Sequence, residues 1–345
     1  MTTKKGKKVR VFYSNYKRVP LIFCLYIALC FISTPSSAWA AYIYTKLLPP
    51  SWSQVYAESI NDKGDVVGWG QAGTMQKGFL YSRGVYTELL PPGWDLAWAR
   101  RINKKGDVIG EGYDVPIFEG TIWKVFLYSG GVYTELLPPD WAEAHPTGIN
   151  DKGDVVAWGT EGTIRKGFLY SGGIYTELLP SGWAFAYPEG INDKGDVVGR
   201  GFDGTVHKGY LDRRGVYTEL LPPGWTWTQA YDINGKGDAI GDGGYGTTWK
   251  GFLYSRGVYT ELLPPGWDSA YPTGINDKGD VIGEGIDGTV QKGFLYSRGV
   301  YTELLPPGWD SAYPTGINDK GTVIGWADVI GVGTGCFIAT PVRGK

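Results

Sequence analysis

The chain has 345 residues, a length that by itself points to about two domains, and at 42% hydrophobic it can bury a sizeable core and is not globally disordered. Glycine is abundant (54 residues), with 15 Trp and 24 Tyr but only 2 Met, a composition of short strands and many turns that excludes a mostly helical protein. The formal net charge is −2 and the pI is near 5.8. With no long basic run beyond the N-terminus, a nucleic-acid partner is excluded.

The N-terminus reads as an export signal over residues 1–40. Lys4, Lys5, Lys7, Lys8, Arg10, Lys17 and Arg18 precede an apolar run from Val19 to Ile32, and Ala38-Trp39-Ala40 supplies a small-x-small cleavage pattern. The run is short for a membrane span, which needs about 20 residues; retention as an uncleaved anchor is the alternative. Cleavage after Ala40 removes seven cations and takes the formal charge from −2 to −9. It also removes Cys24 and Cys30, leaving Cys336 as the only thiol, so no internal disulfide forms despite an oxidising destination.

From residue 41 to 345 the chain is one sevenfold repeat. I-N-x-K-G recurs with its Ile at 60, 102, 149, 191, 233, 275 and 317. A second motif begins at Gly78, Val125, Gly167, Gly209, Gly251, Gly293 and Cys336, and Y-T-[EK]-L-L begins at Tyr44, Tyr86, Tyr133, Tyr175, Tyr217, Tyr259 and Tyr301. Lys250–Gly279 and Lys292–Gly321 are identical. Units begin near 51, 93, 140, 182, 224, 266 and 308. Each reads as four strands: S-A-Y-P-T-G-I, turn N-D-K-G, D-V-V-G-x-G, a variable loop, K-G-F-L-Y-S, turn R-G, and V-Y-T-E-L-L ended by Pro-Pro. A four-stranded repeat of this length predicts an all-β, seven-bladed β-propeller with antiparallel blades. The segment at Tyr44 is a lone fourth strand, and the last unit lacks one. The N-terminal strand is therefore predicted to complete the last blade and close the ring.

I-N-D-K-G-D-V-V-G followed by K-G-F-L-Y-S-x-G resembles the repeat of the bacterial extracellular HAF family, over essentially residues 42–341. Lys77-Gly78-Phe79 stands where that family has His-Ala-Phe. The resemblance implies an exported propeller, and no activity.

Few residues carry chemistry. His145 and His207 occupy non-equivalent repeat positions, so a two-His metal site is not expected. Cys336 reads as a small buried residue. Asn61, Asp62 and Asp65 offer clustered oxygens, but they read as a hairpin turn rather than a calcium loop, which needs six to eight oxygen ligands. The repeated Lys before the third strand and Glu of the fourth read as solvated. The Trp after each Pro-rich turn (Trp52, Trp94, Trp141, Trp183, Trp225, Trp267, Trp309) reads as a wedge between blades, with surface sugar-stacking as the alternative.

Four residues further on stand Tyr56, Trp98, His145, Tyr187, Gln229, Tyr271 and Tyr313. At the entry of the first strand they are predicted to surround one mouth of the central channel, or else to pack against the neighbouring Trp. The loop Tyr113–Trp123, which holds an insertion, is expected on the same face. Glu58, Arg100, Glu189 and Asp232 break the symmetry nearby, and Glu58 is expected to pair with Arg100 across a blade boundary. These eleven residues are the candidate ligand-binding set. The reading is a secreted or periplasmic, monomeric binding module for a glycan, with no cofactor, no metal and no membrane contact after cleavage. The alternatives are a cell-surface protein-interaction scaffold, or a hydrolase or lyase using Glu58, Glu189 and Asp232.

Overall fold

The structure is a computed structural model that describes residues 42–114, 122–246, 249–329 and 333–342. The expected export signal over 1–40 and the middle of the Tyr113–Trp123 loop lie outside the described residues. Among the described residues there is no helix; 28 strands, β1 to β28 in chain order, form seven antiparallel sheets of four. Blade 1 comprises β2 (Trp52–Ile60), β3 (Val66–Ala72), β4 (Met75–Ser82) and β5 (Val85–Leu89). Blades 2 to 6 follow over 96–136, 141–178, 185–220, 227–262 and 269–304. Blade 7 has the order β1-β28-β27-β26, joining β1 (Tyr42–Leu47) to β28 (Gly333–Pro341), β27 (Val323–Val329) and β26 (Tyr313–Ile317). The N-terminal strand thus fills the outer place of the last blade, with Tyr42 opposite Pro341 and Leu47 opposite Cys336.

Local chemistry explains the strands. At the R-G turn of blade 6, Arg298 and Gly299 take φ of 51° and 85°, the left-handed pair that suits the twist of a tight hairpin. At each N-D-K-G turn the Asn side chain organises the loop. Asn61 Oδ1 accepts from the N–H groups of Lys63 and Asp65, both at 3.0 Å. Its Nδ2 donates to Asn103 O in the next blade at 3.2 Å. The same bond passes from Asn103 to Asn150, Asn192, Asn234, Asn276 and Asn318, and Asn318 closes the circle on Asn61 O at 3.0 Å. Asp65 receives Asn61 Nδ2 and Ser82 Oγ within its own blade, so these oxygens serve the hairpin.

The core lies between blades. Each of seven buried clusters draws on two consecutive blades; that between blades 7 and 1 joins Leu47, Ile324 and Cys336 to Val55, Val66 and Phe79. Each Trp of the Pro-rich turn meets the third-strand aromatic of its blade edge-on, as Trp267 meets Phe294 with centroids 6.0 Å apart. A Cβ on Gly285 would collide with the Ser269 carbonyl oxygen and come within 2.9 Å of the Trp267 ring, which explains the glycine at that position. The Trp series thus packs edge-on against its own blades; Trp52 and Trp94 are buried and the other five are partly buried. The repeated Glu are exposed, as read from the sequence, and pair across the strands with the repeated Lys, from Lys77–Glu88 at 2.7 Å to Lys124–Glu135 at 3.3 Å.

Candidate functional site at the channel mouth

The first strands surround the axis, because residues from all seven blades line the same two axial cavities, each of about 160 Å³. The cavity at the N-D-K-G end is bordered by Asp62, Asp151, Asp193, Asp277, Asp319 and Lys104. Lys104 reaches across it to Asp277 at 2.8 Å, Asp62 at 3.4 Å and Asp319 at 3.5 Å. That hydrogen bond to Asp277 and the surrounding carboxylates hold its ammonium well above the ordinary range, against the cost of desolvation. The seven Ile of I-N-x-K-G border the first cavity, and all but Ile233 border the second as well.

Above them every first strand carries a β-bulge at one repeat position: Glu58, Arg100, Thr147, Glu189, Tyr231, Thr273 and Thr315. A bulge re-aims the extra residue, and in this repeat that residue is the variable one. Where it is Thr it ties neighbouring blades: Thr273 Oγ1 donates to Pro314 O at 2.7 Å and Thr315 Oγ1 to Ala57 O at 2.7 Å. Where it is charged it builds ion pairs. Glu58 accepts from Trp69 Nε1 at 2.8 Å and from Arg100 Nη1 at 3.2 Å, the pair expected across the boundary of blades 1 and 2. Glu189 accepts from Arg200 Nε at 2.7 Å. Asp232, one residue past the bulge, receives the N–H of Ile233 at 2.8 Å and that of Ile275 in blade 6 at 3.1 Å. The three carboxylates considered for catalysis are therefore engaged in structural bonds.

The strand-entry residues are half-buried, and each faces a second-strand residue across the ladder. Tyr56 is opposite Trp69, Trp98 opposite Glu111, His145 opposite Trp158, and Tyr187 opposite Arg200. Gln229 is opposite Asp242, Tyr271 opposite Glu284, and Tyr313 opposite Trp326. This second set is absent from the sequence reading. Its signal was the x of D-V-V-G-x-G, the most variable letter in that strand. Direct cross-strand neighbours touch, so the aromatics stack on these tryptophans rather than on those of the Pro-rich turns. Tyr313 stacks on Trp326 at 3.8 Å, Tyr56 on Trp69 at 4.4 Å and His145 on Trp158 at 4.4 Å. Trp69, Trp98 and Trp123 continue the series at 5.1 and 5.0 Å. The expected circle of free faces is instead an arc through blades 7, 1, 2, 3 and 4. Gln229 and Tyr271 lie outside it, beside acidic partners.

Two pockets result. The first, about 360 Å³, is lined by Trp98, Trp123 and Trp158 with Arg100, Glu111, His145 and Pro146. Glu111 anchors it. Its Oε1 accepts from Arg100 Nε at 2.8 Å and Nη2 at 2.5 Å, and its Oε2 lies 2.6 Å from His145 Nδ1. Burial opposes charge on Glu111, but His145 and Arg100 outweigh it and hold the carboxyl below its ordinary range. Arg100 also lies 4.9 Å over the Trp98 ring, a cation–π contact. The second pocket, about 410 Å³, includes Glu58, Arg101, Glu189, Tyr231, Asp242, Tyr271 and Glu284. Burial pushes Asp242 and Glu284 each up to about 7, where a carboxyl can hold or release a proton at neutral pH. No group of three or more His, Cys, Asp or Glu among the described residues is arranged to hold a metal ion.

No protein-family model matches the chain, and no curated protein matches its sequence. Solved structures do. A streptogramin B lyase is 18% identical, over 88% of this chain and 99% of its own, with a TM-score of 0.55. A catalytically inactive virginiamycin B lyase from Staphylococcus aureus, with quinupristin, is 20% identical over 88% and 100%, also at 0.55. The β-propeller domain of the Trilobed protease from Pyrococcus furiosus, described as an open velcro topology, is 9% identical over 84% and 94%, at 0.62. Likeness at such identities speaks for the fold alone, and with the seven four-stranded sheets it establishes the chain as a seven-bladed β-propeller.

Proposed function

We propose that the chain is an exported, non-catalytic binding protein whose ligand is a saccharide held in the tryptophan-lined pocket of blades 2 and 3. One observation carries the reading: three indole rings and a fixed Arg100–Glu111–His145 network share one pocket. A pyranose presents C–H groups to an aromatic face and hydroxyls at its rim, so it needs flat apolar walls beside oriented donors and acceptors. Glu111 supplies acceptors, Arg100 supplies donors and His145 offers its Nε2, and their mutual bonds hold them in place before a ligand arrives. Export is supported by the basic, apolar and small-residue order of residues 1–40 and by the resemblance to the HAF repeat.

A glycan array probed with residues 41–345 tests this. A retained glycan should lose about tenfold or more in affinity in Trp158→Ala, the scale of one stacking contact. Chromatography of the recovered oligosaccharide should show it intact. Retention of no glycan, or Trp158→Ala binding as the parent does, overturns the saccharide reading; cleavage overturns the non-catalytic one.

A further inference from the structure

We propose that the second pocket, in blades 5 and 6, is a subsite for a protonated amine, and that the saccharide is an oligomer of amino sugars carrying free amines. This rests on the saccharide reading of the first pocket.

The second pocket holds four carboxylates. Two are spoken for: Glu58 by Trp69 and Arg100, Glu189 by Arg200. Asp242 and Glu284 form no ion pair among the described residues; Glu284 has a hydrogen bond from the Gln291 side chain, and Arg200 acts on Asp242 only at longer range. Asp242 is 2% exposed yet borders the cavity. Its side-chain hydrogen bond comes from the Tyr231 hydroxyl to Oδ1 at 3.1 Å, and no described group donates to Oδ2. A buried carboxylate with an open acceptor is costly to keep. The same register position takes Trp, Arg or Glu in the other blades. A cation arriving with the ligand removes the penalty.

The surroundings define that cation. The carboxylates are not gathered as metal ligands. They are spread around a cavity with Tyr231 and Tyr271 among its walls. An ammonium group matches this set, with three N–H donors for separated carboxylate oxygens and a positive charge for aromatic faces. The pockets are also continuous in their bonding, since Glu58 of the second is bonded to Arg100 of the first. A ligand stacked on Trp98 and Trp158 that extends over this ion pair brings a neighbouring sugar to Asp242 and Glu284.

Calorimetry with a glucosamine hexamer and its fully N-acetylated counterpart, near neutral pH, tests the assignment. The free-amine oligomer should bind about tenfold tighter, the order of one charge-assisted hydrogen bond. Asp242→Asn with Glu284→Gln should abolish that preference while leaving the acetylated oligomer's affinity unchanged, and Trp158→Ala should weaken both oligomers. The unchanged acetylated affinity shows that the double variant is folded. Equal binding of the two oligomers, or a double variant that keeps the preference, overturns the amine subsite and leaves the saccharide reading standing. Binding of neither, with a neutral glycan retained on the array, also overturns the amine subsite alone. Absence of any saccharide binding overturns both.

Discussion

Leu47 and Leu304 are equivalent residues in fourth strands, but Leu304 is joined to its blade by a hairpin and Leu47 reaches blade 7 only by pairing. Both are buried, at 2% and 0% exposure. Leu47 stands opposite Cys336 and packs with Val55, Val66 and Phe79 of blade 1. If β1 is seated as firmly as a covalently continuous strand, truncating either leucine leaves a cavity of the same kind, costing about 3 kcal/mol. For a chain of this size that is roughly 6 °C in melting temperature, at about 2 °C per kcal/mol. Two further contacts brace β1: Tyr44 meets Phe337 edge-on at 5.7 Å, and Leu48 N–H donates to the Tyr86 hydroxyl at 3.1 Å. Urea titrations of Leu47→Ala and Leu304→Ala, followed by circular dichroism, should show matching losses in midpoint with unchanged slope. A silent Leu47→Ala beside a costly Leu304→Ala would mean that β1 does not close the ring.

Two other outcomes follow from burial. Asp242 holds its proton up to about 7 instead of 3.8, so the folded state binds a proton that the unfolded chain releases from about pH 4 upward, and stability falls as pH rises to about 7. Asp242→Asn removes that penalty: it should melt close to the parent at pH 4 and be more stable at pH 8, by up to about 4 kcal/mol; a pH-independent difference would contradict the account. Cys336 Sγ accepts from Ala57 N–H at 3.1 Å and donates to Val55 O at 2.8 Å, and burial pushes its thiol up to about 12. A thiol reagent at pH 8 should therefore label residues 41–345 only after denaturation, and rapid labelling of the folded protein would refute this.

Much of the architecture is written in the chain, because period, alternation and turn chemistry are local properties. The recurrence of I-N-x-K-G set the number of blades, the lone fourth strand at Tyr44 set the closure, and the invariance of the Trp after each Pro-rich turn marked it as core. The candidate site was only half legible. Tyr56, Trp98, His145 and their equivalents were found because six of the seven are aromatic rings at one repeat position, the entry of the first strand. Trp69, Glu111, Trp158, Arg200, Asp242, Glu284 and Trp326 vary from blade to blade and carry no motif. Which of them face the strand-entry residues depends on a bulge in every first strand, and a bulge is a matter of register between strands. The bonding of Arg100 to both Glu58 and Glu111 spans two blades, as does the hold of Asp232 on Ile275. Burial, which drives Asp242 and Glu284 toward neutrality, comes from packing that no single repeat contains. Sequence alone therefore determined the ring and the face it presents. Only the assembled blades decided that this face is divided, with stacked indoles around a fixed ion network on one side and protonatable carboxyls beside tyrosines on the other.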